Sequence, residues 1–271
     1  MRPYKDFLLV SDMDGTLLTS AKTVSEANKK AIREFVDGGG RFAIATGRTP
    51  DNAKDYLQGV AVNSPSIFYN GSLLADLTTG QVLKSCPLEG RLWRDFVRTC
   101  LKTLPGLCLE VYTAKDCYIL SDEQYDDPRM AAEYSSYHHA SLEKVARLEW
   151  LKFFVCAPHE KLEQVRDLAE RLQVTAVSNN FYSAENYLEF VGPQVSKGNM
   201  MEVLRALPEN AGRLVVAAGD YPNDNEMLRR ADCGVAPADA AEETRALAAR
   251  LGPDCDHDLW DFIIREVLPA L

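Results

Sequence analysis

The chain has 271 residues and a formal net charge of −10, because 40 Asp and Glu residues outnumber 30 Lys and Arg residues. This acidity argues against a protein that binds nucleic acid through a basic face, and against a polybasic binder of membrane surfaces. Apolar residues make up 46 % and charged residues 26 % of the chain, which is typical of a globular protein with a sizeable core. The length predicts one large or two ordinary domains.

The sequence carries no signal for a membrane or for secretion. No apolar run reaches the roughly 20 residues of a membrane-spanning helix, and only four apolar residues, Phe7 to Val10, follow the charged start. The seven cysteines lack C-x-x-C spacing, so we expect reduced thiols. These features predict a cytoplasmic protein with neither a membrane nor a nucleic-acid partner, and they leave its oligomeric state open.

The N-terminal part alternates between strands and helices. Continuous apolar runs predict strands buried on both faces of a parallel sheet at 7–10, 42–45 and 66–69. After the first of these, Thr23 and Glu26 have capping-box spacing and predict the start of a helix.

The C-terminal part has the same organisation. Ser196 is placed to cap a helix that Pro208 ends, and apolar runs at 214–218 and 234–236 predict two more strands. Alternating strands and helices predict an α/β fold, with a doubly wound parallel-sheet (Rossmann-like) core and right-handed crossovers.

The segment between residues 83 and 191 differs, because its apolar and polar residues tend to alternate. A period of two predicts an antiparallel sheet with one face exposed to water. We expect strands at 107–113, 117–120, 152–156, 174–178 and 187–191, and helices at 88–104 and 159–172. The predicted organisation is therefore a core formed by 1–82 and 192–271, with an α+β domain inserted at 83–191.

The first candidate site contains Asp12 and Asp14, which follow the first predicted strand. Two carboxylates at the carboxyl end of a central strand lie where open parallel sheets bind ligands, and a cation would offset their repulsion. An Asp-Gly turn between two hairpin strands is the alternative. A calcium-binding loop is excluded, because its sixth and twelfth positions, Gly and Glu, are here Leu17 and Thr23.

Two further segments lie at predicted helix entries. Thr46 and Gly47 follow the second predicted strand, where a hydroxyl and free backbone N–H groups form an anion site. Lys197 begins a helix, where its charge opposes the helix dipole unless an anion lies nearby. Taken singly, a plain strand-to-helix connection and a solvated lysine are the simpler interpretations.

A fourth segment follows the strand predicted at 214–218. It contains Asp220, Asn223 and Asp224, of which the acidic residues can face the same region as Asp12. One helix N-cap accounts for a single acidic residue but not for all three polar side chains.

Together, these segments resemble the haloacid dehalogenase-like (HAD) phosphatases, in particular the Cof-type branch, which has a large cap domain inserted after the third strand. Four segments carry the resemblance, namely Asp12-Met13-Asp14-Gly15-Thr16, Thr46 in Ala-Thr-Gly-Arg, Lys197 in Val-Ser-Lys-Gly, and Gly219-Asp220 through Asp224. Asn70-Gly71 after the third strand is similar as well. The resemblance covers nearly all of the core, whereas the cap corresponds in position and size. The chain departs from the branch at 255–260, where a Gly-containing segment is usual.

The resemblance implies that Asp12 attacks a phosphomonoester to form an aspartyl-phosphate, which water then hydrolyses. Asp14 would protonate the leaving alcohol and then deprotonate that water. Two unit charges 4 Å apart repel by about 4 kcal/mol at an effective dielectric of 20, so a carboxylate that approaches a phosphate dianion meets about 8 kcal/mol. A Mg²⁺ cofactor is therefore implied, held by Asp12, the backbone carbonyl of Asp14 and Asp220, with Asp224 as a further candidate ligand.

The remaining implied roles concern the substrate, a small phosphorylated metabolite with a sugar phosphate as the leading class. The phosphate contacts implied are Met13, Thr46, Gly47, Lys197 and Asn223. Arg48 and Asn70 are candidates for contact with the rest of the substrate. Three other functions stay open: a phosphomutase on the same core, a phosphoacceptor module of the receiver type, and a silent binding protein.

Overall fold

The computed structural model describes residues 2–88, 91–133 and 137–271, which divide into two compact units. The first unit consists of the chain up to Lys84 together with Ser196–Leu271, and the second of Ser85–Val195. The boundaries expected from the sequence, at 82/83 and 191/192, lie two and four residues before the boundaries of these units.

The strands and helices follow one another along the chain with short connections. The strands are β1 Phe7–Ser11, β2 Arg41–Ile44, β3 Ser66–Phe68, β4 Leu73–Ala75, β5 Val82–Ser85, β6 Cys108–Tyr112, β7 Cys117–Ile119, β8 His138–His139, β9 Lys152–Cys156, β10 Asn179–Ala184, β11 Tyr187–Val191, β12 Leu214–Ala218, β13 Cys233–Pro237 and β14 Arg250–Gly252. The α-helices are α1 Glu26–Asp37, α2 Pro50–Tyr56, α3 Arg91–Thr103, α4 Pro128–Glu133, α5 Leu142–Val145, α6 His159–Arg171, α7 Lys197–Arg205, α8 Asn225–Arg230, α9 Glu242–Leu247 and α10 Leu259–Phe262.

The first unit is built on a parallel sheet of five strands in the order β14-β13-β12-β1-β2. The interior strand β1 is fully buried, as its continuous apolar run predicts. β3 continues beside β2 through a parallel bridge between Ala45 and Ile67, and then forms a separate three-stranded sheet with β4 and β5. The predicted α/β fold with a parallel central sheet is confirmed.

Helix α1 begins two residues later than the capping box predicts. Ser25 is the N-cap, because its hydroxyl oxygen accepts a hydrogen bond from the backbone N–H of Asn28 at 3.1 Å. Thr23 instead pairs with Thr19, whose N–H donates to the Thr23 carbonyl at 2.8 Å. Thr23 is therefore part of a turn before the helix, and the predicted cap was wrong by two positions.

The second unit contains a six-stranded sheet in the order β10-β11-β9-β6-β7-β8, antiparallel except for the β7–β8 pair. One face packs against a hydrophobic core that includes Trp93 and Phe96 of α3. The opposite face was expected to be wet, and that expectation was wrong. Glu110, Lys152 and Glu189 are buried there, and the Lys152 ammonium lies 3.2 Å from a Glu189 carboxylate oxygen.

The strand predicted at 174–178 is a 3₁₀ helix, Val174–Val177. Gln173 precedes it in the left-handed conformation with φ of 59°, and the Ser178 hydroxyl donates to the Val174 carbonyl at 2.8 Å. This local hydrogen bond closes a turn, so the strand starts only at Asn179.

Three other features of the described chain bear on the sequence expectations. The ends of the second unit lie together, since a Cβ added to Gly192 would lie 3.5 Å from the Cys86 carbonyl oxygen. All seven cysteines are free thiols. Among the described residues, no helix has both the length and the apolar character that crossing a membrane requires.

Candidate active site

Parallel pairing brings the first and fourth motif segments together. Ser11 at the end of β1 lies opposite Ala218 at the end of β12, and the Asp12 N–H donates to the Ala218 carbonyl at 2.9 Å. Because parallel strands end at the same edge of the sheet, Asp12 and Asp220 emerge side by side.

The carboxylates of Asp12, Asp220 and Asp224 form one cluster. Each offers one oxygen, and these three oxygens all lie within 4.8 Å of one another. An all-oxygen donor set of this kind suits a hard divalent cation such as Mg²⁺. The donor chemistry therefore fits the implied cofactor at Asp12 and Asp220, whereas Asp224 has other partners.

Lys197 joins two members of the cluster. Its ammonium lies 2.6 Å from Asp12 Oδ1 and 2.7 Å from Asp224 Oδ1, and its side chain is 1 % exposed. Burial by itself lowers the pKa of Lys197, but the two carboxylates more than offset this and hold the pKa above its ordinary value. Lys197 is therefore a fixed positive charge beside Asp12.

Asp12 has a pKa well above its ordinary value. Burial is the main cause, and the nearby negative charge of Asp224 raises the pKa further, against the lowering effect of Lys197. A buried carboxylate with this environment gains from a cation, because added positive charge favours its ionised form.

Asp220 has a pKa raised to about 6, first by burial and then by the charge of Asp224. The Thr16 hydroxyl donates to Asp220 Oδ1 at 3.3 Å. Gly15 makes room for this contact: its φ is +74°, and a Cβ there would lie 2.4 Å from Asp220 Oδ2. The glycine of the first motif thus allows the fourth motif to approach.

Asp224 uses both carboxylate oxygens within the protein. Oδ1 accepts from Lys197, while Oδ2 accepts from the backbone N–H groups of Asp220 at 3.1 Å and of Tyr221 at 3.2 Å. This side chain therefore fixes the loop that carries Asp220, and its predicted role as a metal ligand stays a prediction.

The Asp14 side chain lies outside the carboxylate cluster. Arg48 binds it with both Nε, at 2.7 Å, and Nη2, at 2.8 Å, and the Lys22 ammonium lies 2.7 Å from Oδ1. Burial alone raises the pKa of Asp14, but the hydrogen bonds and charges of Arg48 and then Lys22 lower it to about 2. Only the backbone carbonyl of Asp14 is left for the implied metal role.

Arg48, a candidate substrate contact, is held on three sides. Besides Asp14, its Nη1 donates to the Asn52 side-chain oxygen at 2.6 Å, and its guanidinium lies 4.2 Å from the centroid of the Tyr56 ring. Thr46 is buried nearby, with its hydroxyl oxygen accepting from the Arg48 N–H at 3.2 Å.

Asn70 and Asn223 contact each other, although they are 153 residues apart. The Asn223 Nδ2 donates to the Asn70 Oδ1 at 3.2 Å, and the Asn70 N–H donates to the Thr46 carbonyl at 3.0 Å. A Cβ on Gly47 would lie 3.1 Å from the Asn70 amide. Asn70 therefore links the second motif to the fourth.

Met13, one of the predicted phosphate contacts, is part of a tight turn after Asp12. Met13 is fully buried, and its carbonyl accepts from three backbone N–H groups, of Thr16, Leu17 and Leu18. Its carbonyl is thus committed to the turn. Three residues to which the sequence analysis assigned no role contact site residues: Thr16 contacts Asp220, Lys22 contacts Asp14 and Ser11 contacts Asp12. Of these, only Thr16 could have been suspected from the sequence, because its hydroxyl lies inside the first motif.

Comparisons with known proteins identify a family and several similar chains. A family model described as haloacid dehalogenase-like hydrolase matches residues 9–258. The chain is 29 % identical over 270 residues to a chloroplastic endoribonuclease YBEY of Arabidopsis thaliana, an alignment that covers 91 % of this chain and 44 % of that protein. It is 26 % identical to an HMP-PP phosphatase of Yersinia enterocolitica, covering 88 % of this chain and 86 % of the relative.

The chain shares its fold with a Thermotoga maritima protein whose crystal structure is known. The TM-score is 0.83 at 22 % identity, with 95 % of this chain and 96 % of that chain covered. The structural likeness extends over both units of the chain.

Proposed function

The chain belongs to the haloacid dehalogenase-like hydrolase family, and from that premise we propose that it hydrolyses a small phosphomonoester with Mg²⁺. Relatives named as phosphatases support the enzyme class. A sugar phosphate is the substrate class proposed, and inorganic phosphate the product.

One observation carries this proposal: a buried lysine and two carboxylates of distant segments meet at the carboxyl end of β1. Asp12 Oδ1 lies 2.6 Å from Lys197 Nζ, and an oxygen of Asp220 lies within 4.8 Å of one of Asp12. Negative charge develops on the transferred phosphoryl oxygens and the nucleophile is itself an anion, so the reaction needs concentrated positive charge there. Lys197 supplies one such charge, and Mg²⁺, held by Asp12, Asp220 and the Asp14 carbonyl, supplies more when bound.

In the proposed reaction, an Asp12 oxygen forms a bond to phosphorus while the bond from phosphorus to the leaving alcohol breaks. Water then attacks the aspartyl-phosphate, which releases phosphate and restores Asp12. Lys197, Thr46 and Asn223 are proposed to hold the phosphoryl oxygens.

Asp14 is proposed as the group that gives and takes the proton. Arg48 and Lys22 favour its ionised form before substrate binds. A phosphate dianion beside Asp14 raises its pKa, since a nearby like charge disfavours the carboxylate. Substrate itself therefore prepares Asp14 to carry a proton to the leaving oxygen.

The test is phosphate release from p-nitrophenyl phosphate with Mg²⁺, with and without EDTA. Asp12→Asn should reduce turnover by at least about 10³-fold, because the nucleophile is removed. Asp261→Asn is the matched control: this acidic residue is half-buried and pairs with Arg265, so the variant should keep wild-type turnover. Wild-type turnover in Asp12→Asn, or full activity in EDTA, would contradict the proposal.

Substrate class and product need a separate experiment. A panel of sugar phosphates, nucleotides and cofactor phosphates should give the highest kcat/KM for a sugar phosphate. An isomerised monophosphate in place of free phosphate would identify a phosphomutase, and a long-lived phosphoenzyme without turnover a phosphoacceptor module. Ribonuclease activity is not proposed, because the net charge of −10 disfavours binding to a polyanion.

A further inference from the structure

The segment in which the chain departs from its family binds the loop that carries the candidate nucleophile. We call residues 255–260 the tail segment, and residues 11–25, from Ser11 at the end of β1 to Ser25, the catalytic loop. Several side-chain hydrogen bonds join the two segments, and these bonds link residues that are 233 to 249 positions apart in the sequence.

The first tie is to the turn of the catalytic loop. Asp256 Oδ1 accepts from the Ser20 N–H at 2.8 Å and from the Ser20 hydroxyl at 3.1 Å. Ser20 lies inside the turn closed by Thr19 and Thr23, and that turn presents Lys22, whose ammonium is 2.7 Å from Asp14 Oδ1. Asp256 therefore holds the turn from which Lys22 reaches Asp14.

The second tie is to Asp12 itself. The Trp260 indole N–H donates to the Ser11 hydroxyl oxygen at 2.7 Å, and the Ser11 hydroxyl donates to the Asp12 carbonyl at 2.6 Å. Both Trp260 and Ser11 are fully buried. Water cannot replace either bond there, so the peptide that follows Asp12 is oriented by a tail residue through one serine.

The tail segment is itself held by hydrogen bonds to the first helix and its N-cap. Asn28 Oδ1 accepts from the backbone N–H groups of Trp260 at 2.9 Å and of Asp261 at 3.0 Å. Asp258 is held at φ of 57°, and its carboxylate accepts from the Ser25 hydroxyl at 2.5 Å. A non-glycine residue in the left-handed region costs conformational energy, which the surrounding contacts must offset.

We propose that the tail segment positions the catalytic loop for phosphoryl transfer, with Asp256 and Trp260 as positioning residues. The inference rests on the proposed function for its kinetic part and on geometry alone for its structural part. If the proposal holds, loss of the Asp256 or the Trp260 hydrogen bonds lowers kcat while KM changes little. The reason is that the reacting groups are displaced but the substrate contacts remain.

The experiment compares Asp256→Ala with Asp261→Ala. Both remove an acidic side chain, but Asp261 directly follows the tail segment and its carboxylate binds Arg265 instead of the catalytic loop. Kinetics with p-nitrophenyl phosphate and hydrogen–deuterium exchange of the amides at 19–23 are measured on each full-length variant. We expect Asp256→Ala to lower kcat about 10-fold, with KM within about two-fold, and to speed exchange at 19–23 by about 10-fold. Asp261→Ala should match the wild type in both.

Each outcome decides the proposal. Unchanged amide exchange at 19–23 in Asp256→Ala overturns the proposal. Faster exchange in Asp256→Ala also overturns it if the kcat of this variant equals that of Asp261→Ala. Should the wild type release no phosphate from any substrate, the proposed function fails, while the exchange data still decide whether the tail segment orders the loop.

Trp260→Phe supplies an independent check that retains an aromatic ring in the core. It removes the indole N–H together with part of the ring volume, so the share of its effect on kcat that comes from the hydrogen bond to Ser11 should be absent in a Ser11→Ala background. Additive losses of kcat in the double variant would overturn the assignment of Trp260.

Discussion

Lys197 lies between Asp12 and Asp224, yet the carboxylates of this cluster still outnumber its ammonium. Three buried or half-buried acids meet one lysine, and the pKa values of both Asp12 and Asp220 are raised. Removing a charged partner from such a site leaves an uncompensated charge, which is why these residues depend on one another. The site is built to accept a cation, and proton uptake is the alternative.

This imbalance predicts that, in EDTA, stability falls as pH rises from about 4 to about 6. The ordinary pKa of Asp220 is 3.8 and its folded value about 6, so in this window the folded state holds a proton that the unfolded chain has lost. Stability is lost as pH rises through the folded pKa, by about 1–3 kcal/mol for this group. Thermal unfolding of wild type and Asp220→Asn at pH 4 to 7 measures it.

The Asn side chain of Asp220→Asn does not ionise, so the stability of this variant should vary less with pH across the same window. Mg²⁺ at pH 7 should stabilise the wild type more than the variant. Asp14 affects both proteins alike: its pKa of about 2 gives stability that is present above its ordinary pKa of 3.8 and is lost as pH falls from there to the folded value. Parallel stability curves for the two proteins would contradict the prediction.

At the scale of elements, loops rather than strands decide how the motif segments approach one another. Gly71 follows β3 with φ of +111°, and a Cβ on it would lie 2.2 Å from the Ser196 carbonyl oxygen. Ser196 is the N-cap of α7, the helix that starts with Lys197, and its hydroxyl accepts from the Asn199 N–H at 2.9 Å. The loop after β3 therefore determines the position of the first residue of α7, Lys197.

We predict that Gly71→Ala lowers the free energy of unfolding by more than about 3 kcal/mol and abolishes measurable turnover, because a backbone atom must move. Gly80→Ala is the matched control: its φ is +71°, but nothing lies within 4 Å of the added Cβ. It should cost only about 1 kcal/mol and leave turnover unchanged. Denaturant unfolding and kinetics check both, and equal losses would show that the close contact does not matter.

Element boundaries were predictable where the pattern was purely local. The strand at 152–156, the strand at 187–191 and the cap at Ser196 were confirmed. The cap of α1 was not, because Thr23 and Ser25 are both suitable residues and only the turn with Thr19 selects between them. The strand expected at 174–178 failed for a similar reason, since one serine hydroxyl closes a helical turn there.

On the scale of the whole molecule, the sequence predicted more of the motif order than of the site itself. The α/β fold and the family were confirmed, because four short segments at strand ends or helix starts are specific as a set. The partners of Asp14 could not be foreseen, since the contact with Arg48 spans 34 residues and depends on the side-chain conformations. The dry second face of the six-stranded sheet was missed because burial of Glu110 and Lys152 depends on partners that periodicity does not reveal.

The second unit has a core of its own, which predicts that residues 85–195 fold as an isolated fragment. Its α3 and α6 pack on one face of its sheet, and the Leu88 N–H donates to the Trp150 carbonyl at 2.7 Å, which ties its first residues down. Far-UV circular dichroism and amide dispersion in NMR spectra of the fragment measure folding. We expect a cooperative transition and no phosphatase activity, whereas a spectrum of a disordered chain would contradict the prediction.

The closeness of Gly192 to the Cys86 carbonyl has a consequence for how such chains diversify. An insertion whose two ends lie side by side can be exchanged for another of different length and shape, while the rest of the chain keeps the same two attachment points. Recombination can therefore replace residues 85–195 as a cassette without altering Asp12 or Lys197.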